Sequence, residues 1–148
     1  RAAARAQLDA QMLKLKRREE LLVQVFEKAR AQLPAMAAQE DWPRLTQALL
    51  REAIAVLDPH SDPQGFVVHS DAITHKLLEA SLLTALSHEL NVELALGDPL
   101  PSSTGVLVTT HNGRRQFDNT LETRFGRLAD ELRSSVYSIL TGNDHERR

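Results

Sequence analysis

The chain has 148 residues, room for one domain of ordinary size and an appendage. Its 18 basic and 20 acidic residues leave a formal charge of -2, and aromatics make up 4%, so it offers neither a strongly basic character nor many stacking platforms for nucleic acid. With no cysteine there is no disulfide framework and no thiolate ligand or nucleophile, and no apolar run approaches the roughly 18 residues of a membrane span or resembles a signal peptide.

From Arg1 to about Leu33 there is no Gly or Pro and good helix formers dominate, which predicts one continuous helix. At roughly 1.5 Å per residue it would reach about 50 Å, longer than a small domain is wide. Because Arg1 already stands inside this pattern, more sequence is expected upstream. Leu8, Met12, Leu15, Leu22, Phe26, Ala29 and Leu33 recur at alternating steps of four and three, a coiled-coil spacing broken once by Glu19. An eleven-residue spacing, Ala4, Leu15 and Phe26, competes with it and would reverse the supercoil hand. The body that follows is too short to cover the whole stripe, so Leu8, Met12, Leu15, Leu22 and Phe26 are assigned to another chain. Lys14, Lys16, Arg17 and Arg18, with Glu19 and Glu20, read as the polar side of that coiled coil.

Pro34 ends the first helix, and Ala35 to Glu40 connect it to a second that Asp41 caps and Pro43 opens. Leu45, Leu49, Ala53, Val56 and Leu57 form its predicted buried stripe, and the loop from Asp58 to Gly65 follows. A short apolar strand from Gly65 to His69 leads to Asp71, the predicted cap of a helix carrying Ile73, Leu77, Leu78 and Leu82. Asn91 to Leu96 alternate as a half-buried strand, and a strand reached through a helix implies a parallel pair.

After a loop with Pro99 and Pro101, the strand Val106 to Thr109, the dipeptide Asn112-Gly113 and the strand Arg114 to Asp118 predict a tight hairpin, which makes the sheet mixed. Asn119 then caps the last helix, with Glu122 reaching back in a capping box. Leu121, Phe125, Leu128, Leu132, Val136 and Ile139 share one stripe, and the helix ends at Gly142.

This last third resembles the C-terminal signature of the E subunit of V-type and A-type rotary ATPases. Gly105, Val106, Gly113, Asp118, Asn119, Thr120, Leu121 and Arg124 carry the likeness, with Thr104 standing where the family often has a second Gly. The resemblance implies a non-catalytic peripheral-stalk subunit that holds the catalytic head against rotor torque, peripheral to the membrane on the cytoplasmic side. It implies pairing of the first helix with the helical G subunit of the stalk and a grip on the B subunit of the catalytic head. A membrane stator subunit would be met through the missing upstream helix, with no direct membrane insertion of this chain and no nucleic acid among its partners.

The remaining chemistry is sparse. His60-Ser61-Asp62 and His69-Ser70-Asp71, with His75 nearby, supply imidazole and carboxylate, the donors zinc or iron would take, and define a metal-dependent hydrolase as the alternative from another class. Loop, strand end and helix are poorly placed to converge, so Asp62 is read as a turn residue and Asp71 as a cap. Neither a Gly-x-Ser-x-Gly elbow nor a phosphate-binding loop occurs. No catalytic residue, cofactor or metal is assigned. Arg114, Arg115, Arg124, Arg127 and Arg133 are interleaved with Glu122, Asp130 and Glu131 and read as a solvated face.

The expected fold is α+β: a stalk helix over 1–33, a head over 34–142 with about four strands in a mixed sheet covered by helices, and a polar tail over 143–148. A stator-like regulator of a flagellar or type III export ATPase shares this plan and is the alternative within the same class.

Overall fold

The computed structural model describes residues 1–142. Unbroken helix formers carry α1 over Ala2–Ala31, two residues short of the expected end. Pro34 does not leave a simple connection behind it. Leu33–Ala38 wind into a 3-10 helix with the proline at its start, where a missing N–H costs nothing, and bury Ala37.

Contacts divide the chain into two units, Gln32–Phe125 and Arg1–Ala31 with the residues from Gly126 on. In the first, α2 (Trp42–Leu57) supplies one wall of the core through Trp42, Leu49, Leu50, Ala53, Ile54 and Leu57. Val56, expected inside, is half exposed, because the buried arc lies one residue over, on Leu50 and Ile54. Asp41 stands at the cap position without a capping bond from its side chain, and instead faces Arg44 at 3.7 Å.

Four strands follow: β1 (Phe66–Ser70), β2 (Leu94–Leu96), β3 (Gly105–Thr110) and β4 (Gln116–Thr120), in the spatial order β2-β1-β3-β4. The sheet is mixed, as expected: β1 and β2 run parallel, while β1 with β3 and β3 with β4 are antiparallel. Between β1 and β2 come α3 (Ala72–Leu77), a π-helical segment at Leu78–Leu82, and α4 (Leu83–Leu90). Leu78, Leu82 and Leu86 enter the core from this stretch, and Ile73 does not. β2 is half the expected length, and Asn91 takes a left-handed conformation, φ 52°, and ends α4 in the manner of a C-terminal cap.

Phe66, Val68, Val106 and Val108 alternate inward from β1 and β3 and close the core against α2. Full burial of such side chains is worth about 1.5–3 kcal/mol each. The hairpin between β3 and β4 is a longer loop than the Asn-Gly pair suggested. Gly113, at φ 73°, is its one positive-φ residue, and its N–H donates to the Thr110 carbonyl at 2.9 Å. Asn112 keeps a negative φ and works through its side chain, whose Oδ1 accepts from Thr110 Oγ1 at 2.7 Å and from the Arg114 N–H at 2.9 Å. This is a hairpin built on an ordinary turn followed by a left-handed glycine.

α5 (Leu121–Thr141) begins one residue later than a cap at Asn119 would require. Thr120 takes that place: its Oγ1 accepts from the Thr123 N–H at 3.3 Å. Asp118 accepts from the Thr120 N–H at 3.0 Å and from the Thr123 hydroxyl at 2.8 Å. Glu122 turns away from the expected capping box and accepts from the Thr104 N–H at 2.7 Å, fixing the entry to β3. The tail 143–148, including His145, lies outside the described residues.

Candidate functional site: a signature joint and an exposed helical seam

Gly105, Val106, Asp118, Asn119, Thr120, Leu121 and Arg124 of the C-terminal signature meet at one joint of the 32–125 unit, while Gly113 lies in the turn at the other end of the hairpin. Asn119 is fully buried in β4, its Nδ2 donating to the Leu49 carbonyl of α2 at 2.7 Å and its Oδ1 accepting from Arg124 Nη1 at 2.9 Å. The same Arg124 nitrogen donates to Glu52 of α2 at 2.8 Å. Sheet, α2 and the start of α5 are thereby tied through two side chains. Gly105 sits across from Thr120 with φ 110°, a conformation disfavoured for any residue with a Cβ, and its N–H donates to Asp71 Oδ2 at 2.8 Å. Val106 is fully buried and Leu121 packs on the core. The bonds of Asn119, Arg124 and Gly105 join β3, β4, α2, α3 and the start of α5 at this place.

Asp71 is the cap the sequence suggested, accepting from the Thr74 N–H at 3.0 Å. It also accepts from Thr74 Oγ1 at 2.7 Å, which in turn accepts from Trp42 Nε1 at 2.9 Å. This chain of bonds was not legible beforehand, because Trp42 and Thr74 are 32 residues apart. Asp62 has a comparable role. Its carboxylate accepts from the N–H groups of Asn112, at 2.8 Å, and Gln64, at 2.9 Å, and these bonds hold its pKa below the usual carboxylate value.

The three histidines of the metal alternative do not share a site. His60 lines an open hollow of about 480 Å³ with His88 and Glu93, His69 Nδ1 lies 3.0 Å from the Asp98 carbonyl, and His75 belongs to α3. Among the described residues no group of three or more His, Asp or Glu side chains is placed to hold a metal.

The second unit is a pair of helices. Arg133 of α5 donates to Glu19 of α1, and Arg18 lies 4.2 Å above the Tyr137 ring. Tyr137, one turn beyond Arg133, also borders Gln11, Lys14 and Leu15, so within this unit the two helices run antiparallel. The hydrogen bond from Arg133 lowers the Glu19 pKa, and the same bond raises that of Arg133. The expected α1 stripe divides in two. Leu22 is fully buried and Phe26 half-buried, whereas Leu8, Met12 and Leu15 are 57%, 61% and 57% exposed. The α5 stripe divides likewise: Leu121 and Phe125 are half-buried, but Leu128, Leu132 and Ile139 are exposed. A hydrophobic period finds these faces, yet cannot say where along a helix the cover ends.

Among the described residues no helix is long and apolar enough to cross a membrane. Residues 1–140 match the model of the ATP synthase (E/31 kDa) subunit family. The E subunit of the A-type ATP synthase of Pyrococcus furiosus is 33% identical over 143 residues, covering 96% of this chain and 69% of the relative. That of Thermococcus gammatolerans is 34% identical, covering 91% and 66%, and that of Pyrococcus horikoshii 32%, covering 93% and 67%. The chain thus spans about two thirds of the length of these relatives. A match over residues 1–140 and relatives 32–34% identical over most of the chain lead to one assignment: the chain belongs to the ATP synthase (E/31 kDa) subunit family, the E subunits of the V/A-type ATPases.

Proposed function

We propose that this chain is a non-catalytic peripheral-stalk subunit that couples the catalytic head of a V/A-type ATPase to its membrane part and resists the torque of the rotor. The carrying observation is the seam Leu8-Met12-Leu15, exposed at its upstream end and continuous in helical phase with buried Leu22. An isolated helix gains little from presenting such a seam to water, and covering the three side chains with a second helix is worth up to about 1.5–3 kcal/mol apiece. The fitting occupant is the helical G subunit, in a stiff helix pair that transmits force along its axis. The Gln32–Phe125 unit, cross-tied by Asn119 and Arg124, is the body that grips the B subunit of the catalytic head. Sequence upstream of Arg1 would continue the helix toward the membrane stator subunit, placing the chain at the cytoplasmic face of the membrane without inserting into it.

Co-expression with the helical and catalytic-head subunits of the same ATPase tests this reading. Copurification of both with this chain is expected, and loss of the G subunit from the L8A/M12A/L15A variant should follow. A chain that recovers neither of them is not the stalk component described.

A further inference from the structure

The exposed seam lies in a segment of strongly biased charge. Upstream of Glu19 there are six basic residues, Arg1, Arg5, Lys14, Lys16, Arg17 and Arg18, and one acidic residue, Asp9. The remaining 130 residues hold 12 basic and 19 acidic ones, so a chain of formal charge -2 carries a cationic end. Every residue from Arg1 to Arg17 is exposed.

The placement of these charges matters more than their number. At about 100° per residue, Leu8, Met12 and Leu15 fall within a narrow arc, with Arg5 and Lys16 on one shoulder and Lys14 and Arg18 on the other. These are the positions from which coiled-coil side chains reach across to a partner's flanks. Arg18 leans over Tyr137 and Lys14 lines a hollow beside the same ring, yet Lys14 remains exposed, as Arg5 and Lys16 are. A basic helix could also meet an anionic lipid surface, but membrane-surface helices present a broad apolar face, whereas this one is a narrow seam with Leu13 exposed on a different side.

We infer that residues 1–18 dock an acidic amphipathic helix, one whose apolar stripe is flanked on both sides by Asp or Glu opposite Arg5, Lys14 and Lys16. This rests on the reading of Leu8, Met12 and Leu15 as a helix-docking seam and adds the charge character of what binds there. Complementary flanks would select partner and register and speed encounter, more than they would add affinity.

The test uses the full chain and two synthetic helical peptides with the same apolar stripe, one flanked by Glu and the other by Lys, titrated by fluorescence anisotropy. At low salt the Glu-flanked peptide should bind at least about tenfold more tightly, and the margin should shrink as salt screens the flanks. The R5E/K14E/K16E variant should invert the preference, with thermal unfolding of the Gln32–Phe125 unit unchanged, and L8A/M12A/L15A should weaken both peptides. Equal binding of the two peptides by the wild type, with both weakened by the alanine variant, would overturn the acidic assignment while leaving the seam intact. Indifference of both peptides to the alanine variant would remove the seam itself. Stronger retention on phosphatidylglycerol vesicles than on the Glu-flanked peptide would overturn the proposal in favour of a lipid surface.

Discussion

Asn119 is a polar side chain in a buried strand, tolerable because its amide is engaged at both ends. Replacing it with alanine removes the side-chain donor that ties β4 to the Leu49 carbonyl of α2 and leaves Arg124 with Glu52 alone, so Asn119→Ala should destabilise the fold by about 1–3 kcal/mol in urea unfolding. Sequence reading assigns this residue the wrong task. An Asn ahead of an apolar helical run looks like a cap, and the strand register that makes Thr120 the cap depends on pairing with β3. Asp62 bears on acid stability. Its folded pKa lies below the unfolded value because two N–H groups hydrogen-bond the carboxylate, so its contribution is fully present above the unfolded pKa and is lost as pH falls through the folded one. The Asp62→Asn variant should therefore lose stability at neutral pH and differ progressively less from wild type below about pH 4, as followed by thermal unfolding across pH.

At the scale of elements, the order of helices and strands was readable because Gly, Pro and hydrophobic period mark them directly. Their ends were less readable. The helical stretch between β1 and β2 passes through a π-helical segment at Leu78–Leu82, and Asn91 ends it in a left-handed conformation three residues before β2. The π-helical segment leaves no local mark in the sequence, whereas Asn91, a residue tolerant of positive φ, is one. Gly105 shows the converse, a residue whose identity follows from its backbone. Substitution with alanine must hold a Cβ at φ 110° opposite Thr120, and Gly105→Ala should cost about 1–2 kcal/mol, measured by the denaturant midpoint. For α1 the expectation concerns order. Its first half carries no buried residue, so helical circular dichroism should rise when a long helical partner is added, and the rise should disappear in the L8A/M12A/L15A variant although alanine favours helix.

For the whole molecule, contacts divide the described residues into a helix pair and a mixed α+β body, and on the proposed reading each unit has its own partner. The seam was legible in advance as a period of four and three, while the ion pair between Glu19 and Arg133 was not, since it joins residues 114 apart. That pairing places Glu19 beside α5, while Leu8, Met12 and Leu15 stay more than half exposed. The central claim is that the exposed stretch belongs to the helical stalk partner. Size-exclusion chromatography with light scattering on this chain mixed with the G subunit of the same ATPase tests it most directly. The account predicts a stable one-to-one complex that the L8A/M12A/L15A variant fails to form, and two separate peaks from the wild-type mixture would contradict it.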